Sequence, residues 1–199
     1  MPLSMPSTPK FRESTFGLQF NTNTFQSPMT RQTQVVERAG ARWQGSFTLP
    51  PMKPVDAAAW IAFLAQCKGQ AVTFYGFDPD ATTPQGVGTG TPTVSGGSQT
   101  GSSLVTTGWT AGQTGIMKAG DYFQVNGELK MVTVDANSDG SGNATIQFQP
   151  ALRSSPANGA SITVNNPKCL MMLTDDGQAS WSADSQGVFS IQFSGVEVI

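Results

Sequence analysis

The residue spacing most suggestive of chemistry is an acidic segment in the second half of the chain. Asp135, Asn137 and Asp139 alternate with other residues, as ligands do in the first half of a calcium-binding loop. A complete loop also needs a bidentate carboxylate at its twelfth position, where this sequence has Ile146. Aspartate, asparagine and glycine are equally typical of hairpin turns, because they tolerate positive φ. We therefore predict a turn here and no metal site.

Other acidic and glycine-rich segments could in principle support acid–base or phosphate chemistry. The pairs Asp175/Asp176 and Asp78/Asp80 would need a defined separation and a pocket that shifts one pKa, whereas both lie in ordinary turn compositions. The glycines of residues 86–90 are similar to those of a phosphate loop, but a Thr-Pro dipeptide follows where a helix is required. These segments therefore favour turns over catalysis.

The composition excludes several classes of enzyme and of binding protein. The chain contains no histidine, which removes Ser–His and Cys–His catalysis and every histidine-based metal site. Charged residues make up only 12% and the formal net charge is −2, without the basic face of a nucleic-acid binder. We expect no catalytic residue and no cofactor, and we predict that the protein is not an enzyme.

Neither a targeting segment nor a disulfide framework is evident. Residues 1–15 lack the apolar stretch of a signal peptide, and no apolar run reaches the ~18–20 residues that span a bilayer. We therefore expect synthesis in the cytoplasm and no membrane partner. Cys67 and Cys169 lie in apolar surroundings and in no CxxC pair, which favours unpaired thiols in the core.

Three aromatic residues could form a platform for a sugar ring. Exposed aromatic rings stack on the apolar faces of ligands, and Trp109, Tyr122 and Trp181 are candidates by type. A small β domain, however, needs its few large aromatics for its own core. We favour the core for these residues and keep glycan contact by Trp109 and Tyr122 as the alternative.

One segment has the pattern of an α-helix. Pro54 suits a first helical turn, and the alanines of residues 57–59 have high helix propensity. Trp60, Phe63, Leu64 and Cys67 then follow at spacings of three and four, which places them on one face. Gly69 is suited to the left-handed cap at the C-terminal end. The sequence predicts a helix over about 54–68.

The rest of the chain has the pattern of short strands separated by turns. Alternating or continuous apolar residues favour strands in several segments. These are residues 16–20, 33–37, 42–49, 71–77, 103–107, 122–125, 128–135, 144–149, 161–164, 169–173 and 188–193. Asn126-Gly127 is a strong hairpin signal. The polar stretch reaching Thr30 and the Gly/Thr/Ser-rich residues 84–103 favour loops.

This distribution predicts a mainly β fold with a discontinuous domain. Residues 1–80 and 167–199 would form one β-rich domain that carries the helix. Residues 81–166 would form an inserted small β-barrel or sandwich with a Gly/Thr/Ser-rich entry loop. The Pro-rich residues 1–14 favour an extended N-terminal arm outside the packed core.

Two groups of motifs resemble proteins of phage tails. The first group is ARWQGSFTLPPM (41–52), AAAWIAFL (57–64) and GQAVTFYGFDP (69–79). In these segments the chain resembles the distal tail proteins of long-tailed, siphovirus-type bacteriophages. The second group is similar to proteins encoded in phage tail operons and comprises KAGDYFQV (118–125), NATI (143–146) and PALR (150–153). These motifs concern packing, so no family site residue carries over.

The resemblance implies a structural role in the virion. Distal tail proteins form a hexameric ring from a β-rich belt domain, which joins the tail tube to the baseplate hub or tail fibre, and an inserted domain projects outward. The implied partners are therefore copies of the chain itself, the tail-tube protein and the hub or fibre proteins. DNA would pass through the lumen as cargo, so we expect a neutral or acidic lining. A tail-tube protein and a carbohydrate-binding module for host-surface adhesion remain the alternatives.

Overall fold

The chain folds chiefly into β-strands, as predicted, with 44% of residues in strands and 10% helical. The computed structural model describes all residues from Met1 to Ile199. The strands are β1 (Leu3–Ser4), β2 (Glu13–Gln26), β3 (Thr33–Thr48), β4 (Phe74–Gly76), β5 (Gly90–Val94), β6 (Gly101–Trp109), β7 (Tyr122–Val125), β8 (Glu128–Val132), β9 (Ala144–Leu152), β10 (Ile162–Thr163), β11 (Cys169–Leu173), β12 (Ser182–Ala183), β13 (Phe189–Ser190) and β14 (Gln192–Glu197). Helix α1 spans Pro54–Cys67, and short 3₁₀ turns lie at Gly69–Ala71 and Asp176–Gln178.

The chain divides into two compact units. The first comprises Met1, Leu3–Phe74 and Met171–Ile199, and the second comprises Pro2 and Tyr75–Leu170. Their boundaries fall inside β4 and β11, a few residues from the predicted positions 80/81 and 166/167. The first unit is thus discontinuous in sequence, and the second lies between its two parts.

The core of the first unit is a cluster of aromatic rings between helix α1 and one face of a sheet. The six-stranded sheet has the order β1-β4-β11-β14-β3-β2. Alternate residues of β3, Trp43 and Phe47, are buried as their spacing predicts. Phe193 of β14 lies at the centre of the cluster, within 6.3 Å of the ring centroids of Phe11, Phe47, Trp60, Phe63 and Phe74.

Helix α1 follows the predicted pattern closely. Pro54 occupies its first turn, and the stripe formed by Trp60, Phe63, Leu64 and Cys67 is buried. The left-handed C-cap is Lys68, with φ of 49°, one residue before the expected Gly69. The predicted strand 71–77 is shorter than expected, because a 3₁₀ turn continues from the helix end and β4 begins only at Phe74.

The N-terminal segment differs from the predicted free arm. Leu3 donates its backbone N–H to Thr73, and the carbonyl of Thr8 accepts from the Trp60 indole at 3.1 Å. The Phe11 ring lies 5.0 Å from that of Phe47. The Phe11 side chain gains more free energy by packing against Phe47 and Trp60 than by remaining in water. Residues 3–11 therefore pack against the core of the first unit.

A long hairpin replaces a predicted loop and two separately predicted strands. The sequence predicts a loop in the polar residues before Thr30 and separate strands at 33–37 and 42–49. The structure has two continuous strands instead, β2 of 14 residues and β3 of 16 residues, paired antiparallel along their length. Polar side chains do not prevent strand formation where the backbone ladder is complete.

The second unit is a nearly closed barrel-like sheet with the order β10-β7-β8-β9-β6-β5. A bridge between Thr93 and Ser161 links the two ends of this order. The turn between β7 and β8 is Asn126-Gly127, and both residues have positive φ, as the hairpin signal predicts. Of the two predicted architectures for the insert, barrel and sandwich, the structure has the barrel.

The Gly/Thr/Ser-rich segment is not entirely a loop. Strand β5 lies inside the predicted loop of residues 84–103 and pairs with β6. Its Val94 is buried in the core of the barrel. Threonine has high strand propensity, but the neighbouring glycines hide this signal in the sequence.

Near the C-terminus the predicted strand 188–193 is divided between β13 and β14. Neither α1 nor either 3₁₀ turn is long and apolar enough to span a membrane.

Candidate functional site

The outer half of the β2–β3 hairpin is exposed on both faces. From Gln19 to Gln26 and from Thr33 to Gly40 every residue is exposed. Thr24 pairs with Val35, and the next pair, Phe25 with Gln34, points to the opposite face. The exposed apolar side chains of this hairpin arm, residues 19–40, are Phe20, Phe25 (57%), Met29 (92%), Val35 (61%) and Val36. Hydrophobic side chains thus lie on both of its faces.

The hairpin arm is well ordered by hydrogen bonds despite this exposure. At its tip the Ser27 N–H donates to the carbonyl of Gln32, and the Arg31 N–H donates to the carbonyl of Ser27. At its base the Gln19 side-chain oxygen accepts from Arg42 at 3.2 Å and from Gln44 at 2.8 Å. The arm is therefore a preformed element, which lowers the entropic cost of binding a partner.

A separate cleft of about 700 Å³ opens in the first unit. It lies where the beginning of β2 and the end of β3 meet the segment 175–182 and strands β13 and β14. Its lining includes Trp181, whose side chain is 45% exposed. Arg12 and Asp175 are the charged residues of the lining, so their formal charges cancel. We call this feature the Trp181 cleft.

One wall of the Trp181 cleft is fixed by a chain of hydrogen bonds. The Asp175 carboxylate accepts from the Gly177 N–H at 2.8 Å and from the Gln178 side-chain amide at 2.9 Å. The Gln178 side-chain oxygen in turn accepts from the Ser194 N–H at 2.9 Å. The Gln178 bond, followed by that of Gly177, lowers the pKa of Asp175 below its ordinary value. Asp175 thus caps the 3₁₀ turn Asp176–Gln178 at this wall.

Comparison with known proteins does not place the chain in a family. No protein-family model matches it, and no curated protein matches its sequence.

The calcium-like segment forms a turn whose side chains bind different parts of the chain. Asp135 accepts from Lys118 at 2.8 Å and from the Ala119 N–H at 2.9 Å. Asn137 accepts from the Gly115 N–H, whereas Asp139 accepts from the N–H groups of residues 141 and 143. The chain contains no group of three or more His, Cys, Asp or Glu able to hold a metal ion.

The two carboxylate pairs likewise occupy turns. Asp176 accepts from the Gln70 N–H at 3.1 Å and shares no partner with Asp175. Asp78 accepts from the Asp80 N–H within its own turn. Burial, with smaller contributions from Asp78, raises the pKa of the Tyr122 hydroxyl far above its ordinary value. The pKa of Asp175 is lowered, whereas a general acid at neutral pH needs a raised one.

Trp109 and Tyr122, the alternative candidates for glycan contact, are both buried in the second unit. Trp109 is 4% exposed and its indole donates to the Thr106 hydroxyl at 2.8 Å, while Tyr122 is 8% exposed. Both rings belong to the interior, as the core interpretation of these residues predicts, and neither presents a face to solvent. Trp181 differs from that interpretation because it is exposed. Trp181 lies in a polar stretch without alternating apolar residues, so the sequence does not indicate whether its side chain is buried or exposed.

Proposed function

We propose that the protein is a structural, non-enzymatic component of a phage tail tip that assembles with copies of itself into a ring. The ring would join the tail tube to the baseplate hub or fibre in the virion, with DNA passing through its lumen. The motifs at 41–79 support the family, and the exposed hairpin arm carries the argument for self-association.

The arm has the features of an interaction element. The outer parts of β2 and β3 pair only with each other, and their unpaired backbone edges invite association. Burying a Val, Met or Phe side chain completely yields about 1.5–3 kcal/mol. Together, the exposed Phe20, Phe25, Met29, Val35 and Val36 can therefore offset a substantial part of the ~4–15 kcal/mol cost of association.

A closed ring follows from a head-to-tail contact of this kind. If the arm of one copy docks on a different surface of the next copy, the same contact repeats by rotation until it closes. In the family that the motifs resemble, closure occurs at six copies. A lumen that passes DNA is best lined by neutral or acidic side chains, since clustered Lys or Arg would retain the phosphates.

The test is the mass of the full chain in solution, by light scattering over a concentration series, with negative-stain images of the same fraction. We expect a hexamer, or two stacked hexamers, visible as rings. A variant combining Phe25→Ser and Val35→Thr should remain folded and lose the rings, because it removes apolar contact from both faces of the arm.

The matched control is Val105→Thr, which removes a comparably exposed apolar side chain from the second unit and should leave the rings intact. Long tubes would instead favour the tail-tube protein. A monomer at every concentration, or rings that persist in the arm variant, would contradict assembly through the arm.

A further inference from the structure

We propose that the Trp181 cleft binds a neutral saccharide. The cleft does not include the hairpin arm, so saccharide binding and ring formation are tested on different residues. Its volume of about 700 Å³ lies within the range of about 300–1,000 Å³ that ligand sites usually have. A short oligosaccharide is of matching size.

The lining combines one exposed indole with many uncharged polar groups. Trp181 offers an apolar face of the kind that stacks on the C–H face of a sugar ring. The polar side chains around it include Ser180, Ser182, Ser190 and Gln192. None of these makes a hydrogen bond within the chain through its side chain, so all can exchange bonds with ligand hydroxyls.

The charge of the cleft argues against an ionic ligand. Arg12 adds one positive charge and Asp175 one negative charge, and no other lining residue is charged. Asp175 is held by Gly177 and Gln178, so its position is fixed before a ligand arrives. The Arg12 guanidinium has no ion-pair partner and offers a fork of N–H donors suited to vicinal hydroxyls or a ring oxygen.

The backbone that follows the indole is held by a short hairpin. Trp181 directly precedes β12, whose pairing with β13 is closed by a turn in which the Asp184 carboxylate accepts from the N–H groups of Gln186 and Val188. This short hairpin and the hydrogen bond between Asp175 and Gln178 hold the chain around the cleft. Because few groups must become ordered when a ligand binds, the entropic cost of binding is lower.

Tryptophan fluorescence tests the inference on the full chain, because Trp43, Trp60 and Trp109 are buried and a soluble quencher reaches mainly Trp181. The probes are tetra-N-acetylchitotetraose, maltotetraose and a galactotetraose. We expect at least one probe to shift the emission saturably and to protect it from acrylamide. Calorimetry with that probe should show a loss of affinity of about tenfold or more for Trp181→Ala and a smaller loss for Trp181→Phe.

The control variant Val87→Ala, exposed in the second unit, should bind like the unaltered chain. The proposal is overturned if no probe changes the emission, or if binding persists undiminished in Trp181→Ala. It is also overturned if acrylamide fails to quench Trp181 without saccharide, because a second copy of the chain then covers the cleft.

Discussion

Lys130 and Glu128 form a buried ion pair on strand β8. The Lys130 ammonium donates to Glu128 Oε2 at 2.7 Å and to the carbonyl of Ala151 at 2.9 Å, and its side chain is fully buried. The Glu128 carboxylate also accepts from the backbone N–H groups of Arg153 and Ser154, at 3.1 and 3.2 Å. One carboxylate thus ties the start of β8 to the chain that follows β9.

Removing the cation of this pair should strongly destabilise the second unit. In Lys130→Met the Glu128 charge stays buried without its partner, and loss of one member of a buried pair costs about 3–5 kcal/mol. The measurement is the free energy of unfolding by denaturant. The exposed pair Lys118–Asp135 provides the control, because Lys118→Ala should leave the unfolding midpoint unchanged. Equal effects of the two substitutions would contradict the structural importance of the buried pair.

The same carboxylate should make stability fall in acid. Burial alone would raise the pKa of Glu128, but the hydrogen bonds from Lys130 and the Arg153 N–H outweigh it, and the pKa lies below the ordinary 4.5. Its contribution is therefore present above that ordinary value and is lost as the pH falls through the lower folded value. Glu128→Gln should flatten this part of the profile of unfolding free energy against pH. If the unfolding free energy of Glu128→Gln still falls as steeply in acid, other carboxylates cause the fall.

Two glycines of the first sheet should respond differently to the same added methyl group. A Cβ on Gly195 would lie 2.8 Å from the ring of Phe74, which is fully buried, whereas one on Gly17 meets nothing within 4 Å. Gly195→Ala should cost about 1–3 kcal/mol through overpacking, and Gly17→Ala should be neutral or slightly stabilising. Thermal unfolding of the two variants compares them directly. A neutral Gly195→Ala would mean that the Phe74 ring moves aside without cost.

The two thiols should be inert in the folded protein. Neither Cys67 nor Cys169 forms a disulfide, and both are buried, as their apolar surroundings predict. Burial raises the pKa of the Cys67 thiol to about 11, so at mildly alkaline pH almost none of it is the reactive thiolate. A chromogenic disulfide reagent should therefore react with neither thiol until denaturant is added. Rapid reaction of the native protein would reveal local opening near one of the cysteines.

The elements best predicted from the sequence are those with one buried face, because apolar residues then recur at the spacing of a helix or a strand. Helix α1 is evident because Trp60, Phe63 and Leu64 recur on one face, and β3 near the core because Trp43 and Phe47 alternate with polar residues. The hairpin arm lacks this signal, since both of its faces are exposed and Asn and Thr fill much of it. A strand without a buried face has no apolar alternation to detect.

The Trp181 cleft could not be predicted from the sequence for a different reason. Arg12, Thr48 and Trp181 come from distant parts of the chain, and only the pairing of β3 with β2 and β14 brings their segments together. No local spacing records that pairing. The same limitation applies to the aromatic residues, because residue type alone does not distinguish Trp109 in the interior from Trp181 at the surface.

Substitution of these two tryptophans should therefore separate stability from binding. Trp109→Ala removes a buried ring together with the hydrogen bond to Thr106, whose hydroxyl bonds in turn to the carbonyl of Ala144 at 2.8 Å. Large-to-small changes of this kind cost about 3–5 kcal/mol, so the unfolding midpoint should drop steeply. Trp181→Ala should leave that midpoint nearly unchanged, since its ring is exposed at the cleft. A stable Trp109→Ala variant that loses saccharide binding would restore the glycan role to the second unit and contradict its placement in the core.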